Sequence, residues 1–466
     1  MFGDPEAAAF DAAAAHAKAY RRAVGAAPVR AALGYREVLA RFAEPVPAQG
    51  LAPAAVIEEL AAKAEGGLLG MTSPNFHGWV TGASHPAGVA ADWLTSAWGQ
   101  AGGFADPTPA AAAAEQVAAG WVLDLLGLPA EAGVGFCTGA TMANFTGLAS
   151  ARGELLRRAG WDVEARGLFG APEVHVVLGG EAHSSILLSL RLLGFGAERV
   201  HRAEADGQGR MRPDALARVL AGLEGPVVVC LQAGNVVSGA FDPFAELIGL
   251  AHGRGAWVHV DGAFGLWARA APGLSALTAG MDAADSWAAD AHKWLQVPYD
   301  CGLALVRDAA AQQRAMSITA SYLPKGENRM PDRFSPEMSR RSRGFAVWAV
   351  LKALGREGVA EMVERHCAVA RRIAGRLAAE PGIAVLNEVV LNQVVAACGE
   401  GVEGDALTRA VLAEVQAEGT AYPSHGRWRG REIVRISVSS GPATLADGER
   451  TAAALIAAWR RVRGRA

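Results

Sequence analysis

Trp257-Val258-His259-Val260-Asp261-Gly262-Ala263 is an apolar run that delivers a carboxylate to its end and then turns on a glycine. Such a run reads as a buried strand with Asp261 at its C-terminal end, and in open α/β sheets ligands bind outside the carboxyl ends of the strands. Working outward, apolar runs of strand length recur at 174–178, 227–231 and 302–306, separated by longer amphipathic stretches. This alternation, from about Thr72 to Arg307, predicts a mostly parallel α/β sheet.

Downstream stands Asp290-Ala291-His292-Lys293-Trp294, a lysine flanked by aromatic and apolar residues in a region otherwise poor in lysine. Burial lowers an amine's pKa. Taken singly, Asp261 could cap its own turn and Lys293 could snorkel from a helix end. Together they are what pyridoxal 5'-phosphate (PLP) requires: a lysine to form the Schiff base and a carboxylate to keep the pyridine nitrogen protonated. A third element, Gly135-Phe136-Cys137-Thr138-Gly139-Ala140-Thr141, is a small-residue turn leading into a helix predicted over 142–152. Free backbone N–H groups at such a helix start hold phosphate, and the Thr138 and Thr141 hydroxyls add donors. The fourth is Glu181-Ala182-His183-Ser184-Ser185, which brings His183 to the same sheet edge, where its ring could stack on a planar group.

In this order, T-G-A-T, A-H-S-S, H-V-D-G-A and A-H-K-W resemble the group II PLP-dependent amino-acid decarboxylases, which include aromatic-L-amino-acid, histidine and glutamate decarboxylases. The similarity runs from about Asn75 to the strand Arg435-Ile436-Ser437-Val438-Ser439. It implies PLP fold type I, an α/β large domain with a smaller α+β C-terminal domain. It also implies Lys293 as the Schiff-base lysine, Asp261 on the pyridine nitrogen, Ala263 beneath the ring and His183 above it. Gly139, Ala140, Thr141 and His292 would serve the phosphate, and Asn235 would lie near the cofactor. In Asn75-Phe76-His77-Gly78-Trp79-Val80-Thr81-Gly82 the match is to the substrate-side segment, so Phe76, Trp79 and Thr81 are expected in the pocket, with ordinary core aromatics as the rival reading. Arg340, Arg341 and Arg343 match a basic segment near the phosphate and subunit interface, or form a solvated helix start.

One departure bears on the product. The family resemblance assigns protonation of Cα after CO2 loss to a loop tyrosine, but residues 327–337 contain none and Tyr322 lies upstream. Three alternatives stay open: Tyr322 acts, His183 or Lys293 donates, or oxygen intervenes and an aldehyde forms. The expected activity is that of a carboxy-lyase taking an L-amino acid, preferably aromatic, to its amine and CO2. The rivals are an acidic-amino-acid decarboxylase, another fold type I lyase or aminotransferase, and a PLP-binding regulator or scaffold without turnover.

Bulk properties agree with an enzyme acting on small molecules. The chain has 466 residues, 51% hydrophobic and 20% charged, enough for a large core. A net charge of −3 gives no broad attraction for nucleic acid or anionic membrane, and no apolar stretch suggests a membrane span. The five cysteines lack CxxC spacing, so no metal site is expected, and free thiols with no secretory leader point to the cytoplasm. Expected boundaries are an N-terminal helical arm over 1–74, a PLP-binding domain over 75–344 and a small domain over 345–466. The resemblance implies a homodimer in which two chains build each site, and an arm of this kind usually needs a partner surface.

Overall fold

The computed structural model describes residues 4–317 and 328–465. Its first strand, β1, is only Phe76–His77. The larger sheet contains β2 (Gly133–Cys137), β3 (His175–Gly179), β4 (Val200–Ala203), β5 (Val227–Gln232), β6 (Trp257–Asp261), β7 (Ser286–Asp290) and β8 (Gly302–Val306). Their order is β2-β8-β7-β6-β5-β3-β4. Strand β8 is antiparallel to both β2 and β7, and the other neighbouring pairs are parallel. Consequently β2, β3, β5, β6 and β7 all point one way, and Cys137, Gly179, Gln232, Asp261 and Asp290 end at one edge.

The hydrophobic composition explains this sheet. Val228, Val229, Val258, Val260, Trp287, Leu303 and Leu305 are fully buried, as expected when helices cover both faces of a parallel sheet. Strands β2 and β7, Gly-Val-Gly-Phe-Cys and Ser-Trp-Ala-Ala-Asp, carry weaker apolar signals and went unrecognised in the sequence, although every residue in them is buried.

A second sheet is built from β9 (Ile383–Val385), β10 (Gln393–Cys398), β11 (Tyr422–Trp428) and β12 (Arg431–Ser437), with β1 at its edge in the order β1-β11-β12-β10-β9. The strand expected at 389–397 therefore starts later, at Gln393, and runs through Cys398. The expected boundary before Asn75 also needs correction, because β1 pairs in parallel with β11, Phe76 opposite Tyr422 and His77 opposite Pro423. Likewise, a boundary at 344/345 does not separate two cores. The helix Gly344–Ala378 packs Val347, Val350 and Val363 into the large core and Val369, Ile373 and Leu377 into the small one. It is interrupted at Gly355, whose φ of 64° is left-handed and suits glycine.

The N-terminal segment forms helices Asp4–Ala23, Tyr35–Phe42 and Pro53–Ala64. The last two bury no residue, and Tyr35, Leu39, Phe42, Val56 and Leu60 are exposed. Among the described residues no helix is long and apolar enough to cross a membrane, no acidic, histidine or cysteine cluster is suited to a metal, and all five cysteines are free and buried.

Candidate active site

A cavity of about 370 Å3 lies at the edge where the parallel strands end. Its walls bring together Asp261, Ala263, His183 and Lys293 with Trp79 and Thr81 of the segment that follows β1. Six of the residues expected from sequence thus share one cavity, drawn from four stretches of the chain.

Asp261 is 6% exposed and ends β6. Its hydrogen bonds come from neutral donors: Asn144 Nδ2 donates to Oδ2 at 3.3 Å and Ala263 N–H to Oδ1 at 3.2 Å. Behind it runs a chain whose direction is fixed from the Asp261 end, because the Asn144 amide that donates to the carboxylate through Nδ2 can only accept through Oδ1. Trp257 Nε1 donates to Ser286 Oγ (2.9 Å), so the Ser286 hydroxyl is free to donate to His259 Nδ1 (2.8 Å). His259 then carries its proton on Nε2 and donates to Asn144 Oδ1 (2.8 Å), which turns the Asn144 amide toward Asp261. Burial pushes His259 down to about 3, so this histidine stays neutral.

His183 caps the helix Ser184–Leu192, its Nδ1 accepting from the Ser185 N–H at 3.2 Å. That bond leaves the proton of the neutral ring on Nε2. Burial holds its pKa below the ordinary histidine value, against an opposing pull from Asp261.

Lys293 Nζ is 2.8 Å from Asp290 Oδ2. The other Asp290 oxygen accepts from Ala140 N–H at 2.6 Å, so one amide of the helix start expected to hold phosphate meets a carboxylate of the chain itself. His292 is buried, stacks on Tyr299 with ring centroids 4.2 Å apart, and accepts the Cys301 N–H on Nδ1 at 3.1 Å. Burial lowers its pKa. Gly139 begins the helix Ala140–Arg158, with Thr141 in its first turn, where backbone N–H groups lack intrahelical acceptors. The Gly302 Cα hydrogen is all that fits against Gly139, since a Cβ there would lie 2.5 Å from the Gly139 backbone.

Six expected residues do not line the cavity: Gly139, Ala140 and Thr141 at the helix start, His292 beside Lys293, and Asn235 and Phe76. Asn235 spends its carboxamide oxygen on the N–H groups of Val237 and Ser238 (2.8 and 3.1 Å), holding its own turn. Phe76 is 2% exposed and stacks on Tyr422 at 5.6 Å, a core contact. Its neighbour His77 is also core, bonded to Thr451 Oγ1 at 2.9 Å. Arg340 pairs with buried Glu115 (2.8 Å), Arg341 with Asp92 (2.7 Å) and Arg343 with Asp300 (3.0 Å), so Arg340 and Arg343 are buried in ion pairs, Arg341 is partly exposed, and none of the three lines the cavity. Tyr322 lies outside the described residues.

The cavity also contains residues that sequence reading passed over. Tyr299 and Phe264 add aromatic surface. Arg435 lines the wall with one hydrogen bond, NH1 to Val236 O at 3.0 Å, while its buried Nε has no partner among the described residues. Burial lowers its pKa from the ordinary guanidinium value. An arginine set between the buried apolar residues Ile433, Val434 and Ile436 is the signal that could have found it.

Residues 38–397 match the family model described as the pyridoxal-dependent decarboxylase conserved domain, well over half the chain. The chain belongs to this family. Among curated relatives it is 28% identical to an aromatic-L-amino-acid decarboxylase of Bacillus atrophaeus, over 72% of this chain and 69% of that one. It is 34% identical to an acidic amino acid decarboxylase of Bos taurus, a match spanning 49% of this chain and 46% of the relative. It is also 26% identical to a phenylacetaldehyde synthase of Arabidopsis thaliana, over 83% and 81% of the two chains. The fold is shared with Oryza sativa TDC, whose crystal structure holds PLP and tryptamine: the TM-score is 0.89 at 22% identity, over 100% of this chain and 98% of that one.

The cofactor of a pyridoxal-dependent decarboxylase is PLP, and the residues present fit it. A desolvated carboxylate served by neutral donors suits a cationic ring N–H, and an amine stands in the same cavity. Thr81 is 5% exposed and its Oγ1 has no partner among the described residues, as expected of a hydroxyl facing a ligand.

Proposed function

We propose that this chain decarboxylates an aromatic L-amino acid to its amine and CO2, with PLP held through Lys293. The observation carrying this reading is the shared cavity in which Lys293 and Asp261 meet a wall of Trp79, Phe264 and Tyr299. PLP supplies the electron sink that accepts the pair released when the Cα–carboxylate bond breaks. The chain's residues supply the rest. Asp261 holds a proton on the ring nitrogen, and the Asn144 amide keeps that carboxylate oriented. His183 and Ala263 bracket the planar group, while Thr141 and its neighbouring amides with His292 serve the phosphate. The aromatic walls receive a planar side chain. Lys293, His183 with its proton on Nε2, and the Tyr299 phenol are groups in the cavity wall able to hand a proton to Cα.

Arg435 favours a second reading, an acidic substrate whose side-chain carboxylate pairs with the guanidinium. The chain would work as a homodimer in the cytoplasm. Exposed Trp93, Leu94 and Trp98 on helix Pro86–Trp98, with Trp348 stacked on Trp121, present an apolar surface that a second copy would cover.

The test is incubation of the PLP-loaded chain with a panel of aromatic and acidic L-amino acids, reading CO2, amine, aldehyde and peroxide, with Lys293→Ala as the inactive control. Amine and CO2 in equal amounts from an aromatic substrate support the first reading. Turnover of acidic substrates alone supports the second, aldehyde with peroxide assigns the oxidative reaction, and PLP binding without turnover refutes an enzyme.

A further inference from the structure

Three segments that are far apart in sequence meet behind Lys293 on one side chain, Gln296. It is 1% exposed and takes a left-handed backbone conformation, φ 65°, which is costly for a residue with a side chain. Strain of that kind persists only where its surroundings impose it. Gln296 Nε2 donates its two protons to Ser439 O at 2.8 Å and Trp294 O at 3.0 Å, with Lys293 O at 3.3 Å sharing one of them. Its Oε1 accepts from Ala83 N–H at 2.7 Å and Gly441 N–H at 2.9 Å. The amide is therefore fully engaged, and its orientation is dictated, since carbonyls surround one end and N–H groups the other.

These partners are the backbone of the Lys293 turn, the segment carrying Trp79 and Thr81, and the stretch after β12 in the C-terminal region. The same junction is closed by Gly82 N–H to His292 O (3.0 Å), His85 N–H to Gln296 O (2.7 Å) and Ser439 Oγ to Thr81 O (2.9 Å). It is also tight: a Cβ on Gly82 would lie 2.3 Å from Lys293 O.

We propose that Gln296 is a positioning residue that sets where the Lys293 amine stands relative to Thr81 by tying the lysine turn to both walls of the cavity. The inference rests on the reading of Lys293 as the PLP-bearing lysine. It concerns the residue's hold on that lysine, so its signature is the persistence of the lysine–cofactor linkage.

The experiment uses the full PLP-loaded chain. Gln296→Leu removes every bond of the carboxamide, whereas Gln296→Glu keeps the acceptor pair to Ala83 and Gly441. Thr408→Val deletes a buried hydroxyl of the C-terminal region, bonded to Cys398 N–H and Gly404 O, and controls for destabilisation. Decay of the visible absorbance band of the lysine-bound cofactor is followed after dilution, alongside thermal melting. The expected result is decay roughly ten-fold faster or more in Gln296→Leu and intermediate in Gln296→Glu, with Thr408→Val decaying like the native chain despite a lowered melting temperature. If Gln296→Leu does not fold, Gln296→Glu against Thr408→Val decides by the same criterion. Decay at the native rate in the Gln296 variants, or an increase no greater than Thr408→Val shows, overturns the proposal. A native chain that forms no band with PLP overturns the cofactor reading, and this inference with it.

Discussion

Replacing Asn144 with leucine tests whether the buried chain from Trp257 to Asp261 serves the reaction or only the core. The substitution keeps the branching and number of side-chain heavy atoms, removes the donor to Asp261 Oδ2 and leaves His259 Nε2–H without its acceptor. A hydrogen bond to a charged group contributes about 1.5–3 kcal/mol, and an orphaned buried donor costs about 1–3 kcal/mol. At 3.3 Å the Asp261 bond sits at the weak end, and ~1.5 kcal/mol is about ten-fold in rate. The expected outcome is a kcat/KM for CO2 release lowered about ten-fold, together with a melting temperature a few degrees lower. Trp257→Phe removes only the outermost donor and leaves Ser286, His259 and Asn144 linked, so its kcat/KM should stay within about two-fold of native. Unchanged kcat/KM in a destabilised Asn144→Leu protein would refute the reasoning. So would an equal loss of rate in both variants, because the effect would then not depend on distance from Asp261.

Further outcomes follow from the same cavity and core. Thr81→Val removes a buried hydroxyl that has no partner among the described residues, so melting should hold or rise slightly while KM or PLP affinity weakens by about three- to ten-fold; a lower melting temperature with unchanged binding would contradict a ligand-facing hydroxyl. Arg435→Met should raise KM for an acidic substrate by about ten-fold or more and leave an aromatic substrate within about three-fold, measured side by side in initial-rate assays. Stability should fall as the medium is acidified. Burial pushes His77 down to about 4 and His259 and His366 to about 3, so below the ordinary histidine value of roughly 6.5 the unfolded chain binds more protons than the folded one. Their contribution is complete above that value and is lost toward pH 4, each histidine giving up to about 1.4 kcal/mol per pH unit. Asp242, raised to about 6 by burial, works in the opposite sense and returns part of it, because its folded form takes up the proton first. Denaturant midpoints at pH 7 and pH 5 check the net sign, and a higher midpoint at pH 5 would contradict it.

The parts of the site legible in the sequence are those whose chemistry is carried by a side chain next to a strong local pattern. Asp261 follows an unmistakable strand, Lys293 stands alone among apolar residues, and His183 follows β3 at the same edge. Asn144 was not legible because its role comes from packing: nothing inside an alanine-rich helix marks the one amide that faces His259. Gln296 was hidden for the same reason, its partners lying at Ala83 and Gly441. The opposite error occurred at Asn235 and Phe76, where position in a motif suggested a ligand contact and the side chain is used by its own turn or by the core. Strands β2 and β7 escaped because burial of glycine and alanine leaves no hydrophobic periodicity to read.

The two-residue strand β1 hangs the segment bearing Trp79 and Thr81 on the C-terminal sheet through its pairing with β11. In chain order that wall precedes every cofactor motif; in space it travels with a region that begins some three hundred residues later. A recombinant fragment ending before β9 would therefore retain Lys293, Asp261 and His183 on an intact sheet yet lack the support that aims Thr81 at them. The pocket is accordingly a property of chain closure, with early and late sequence meeting across the lysine turn, and the earliest ribosomal moment at which it can exist is after β12, which carries Arg435, has emerged.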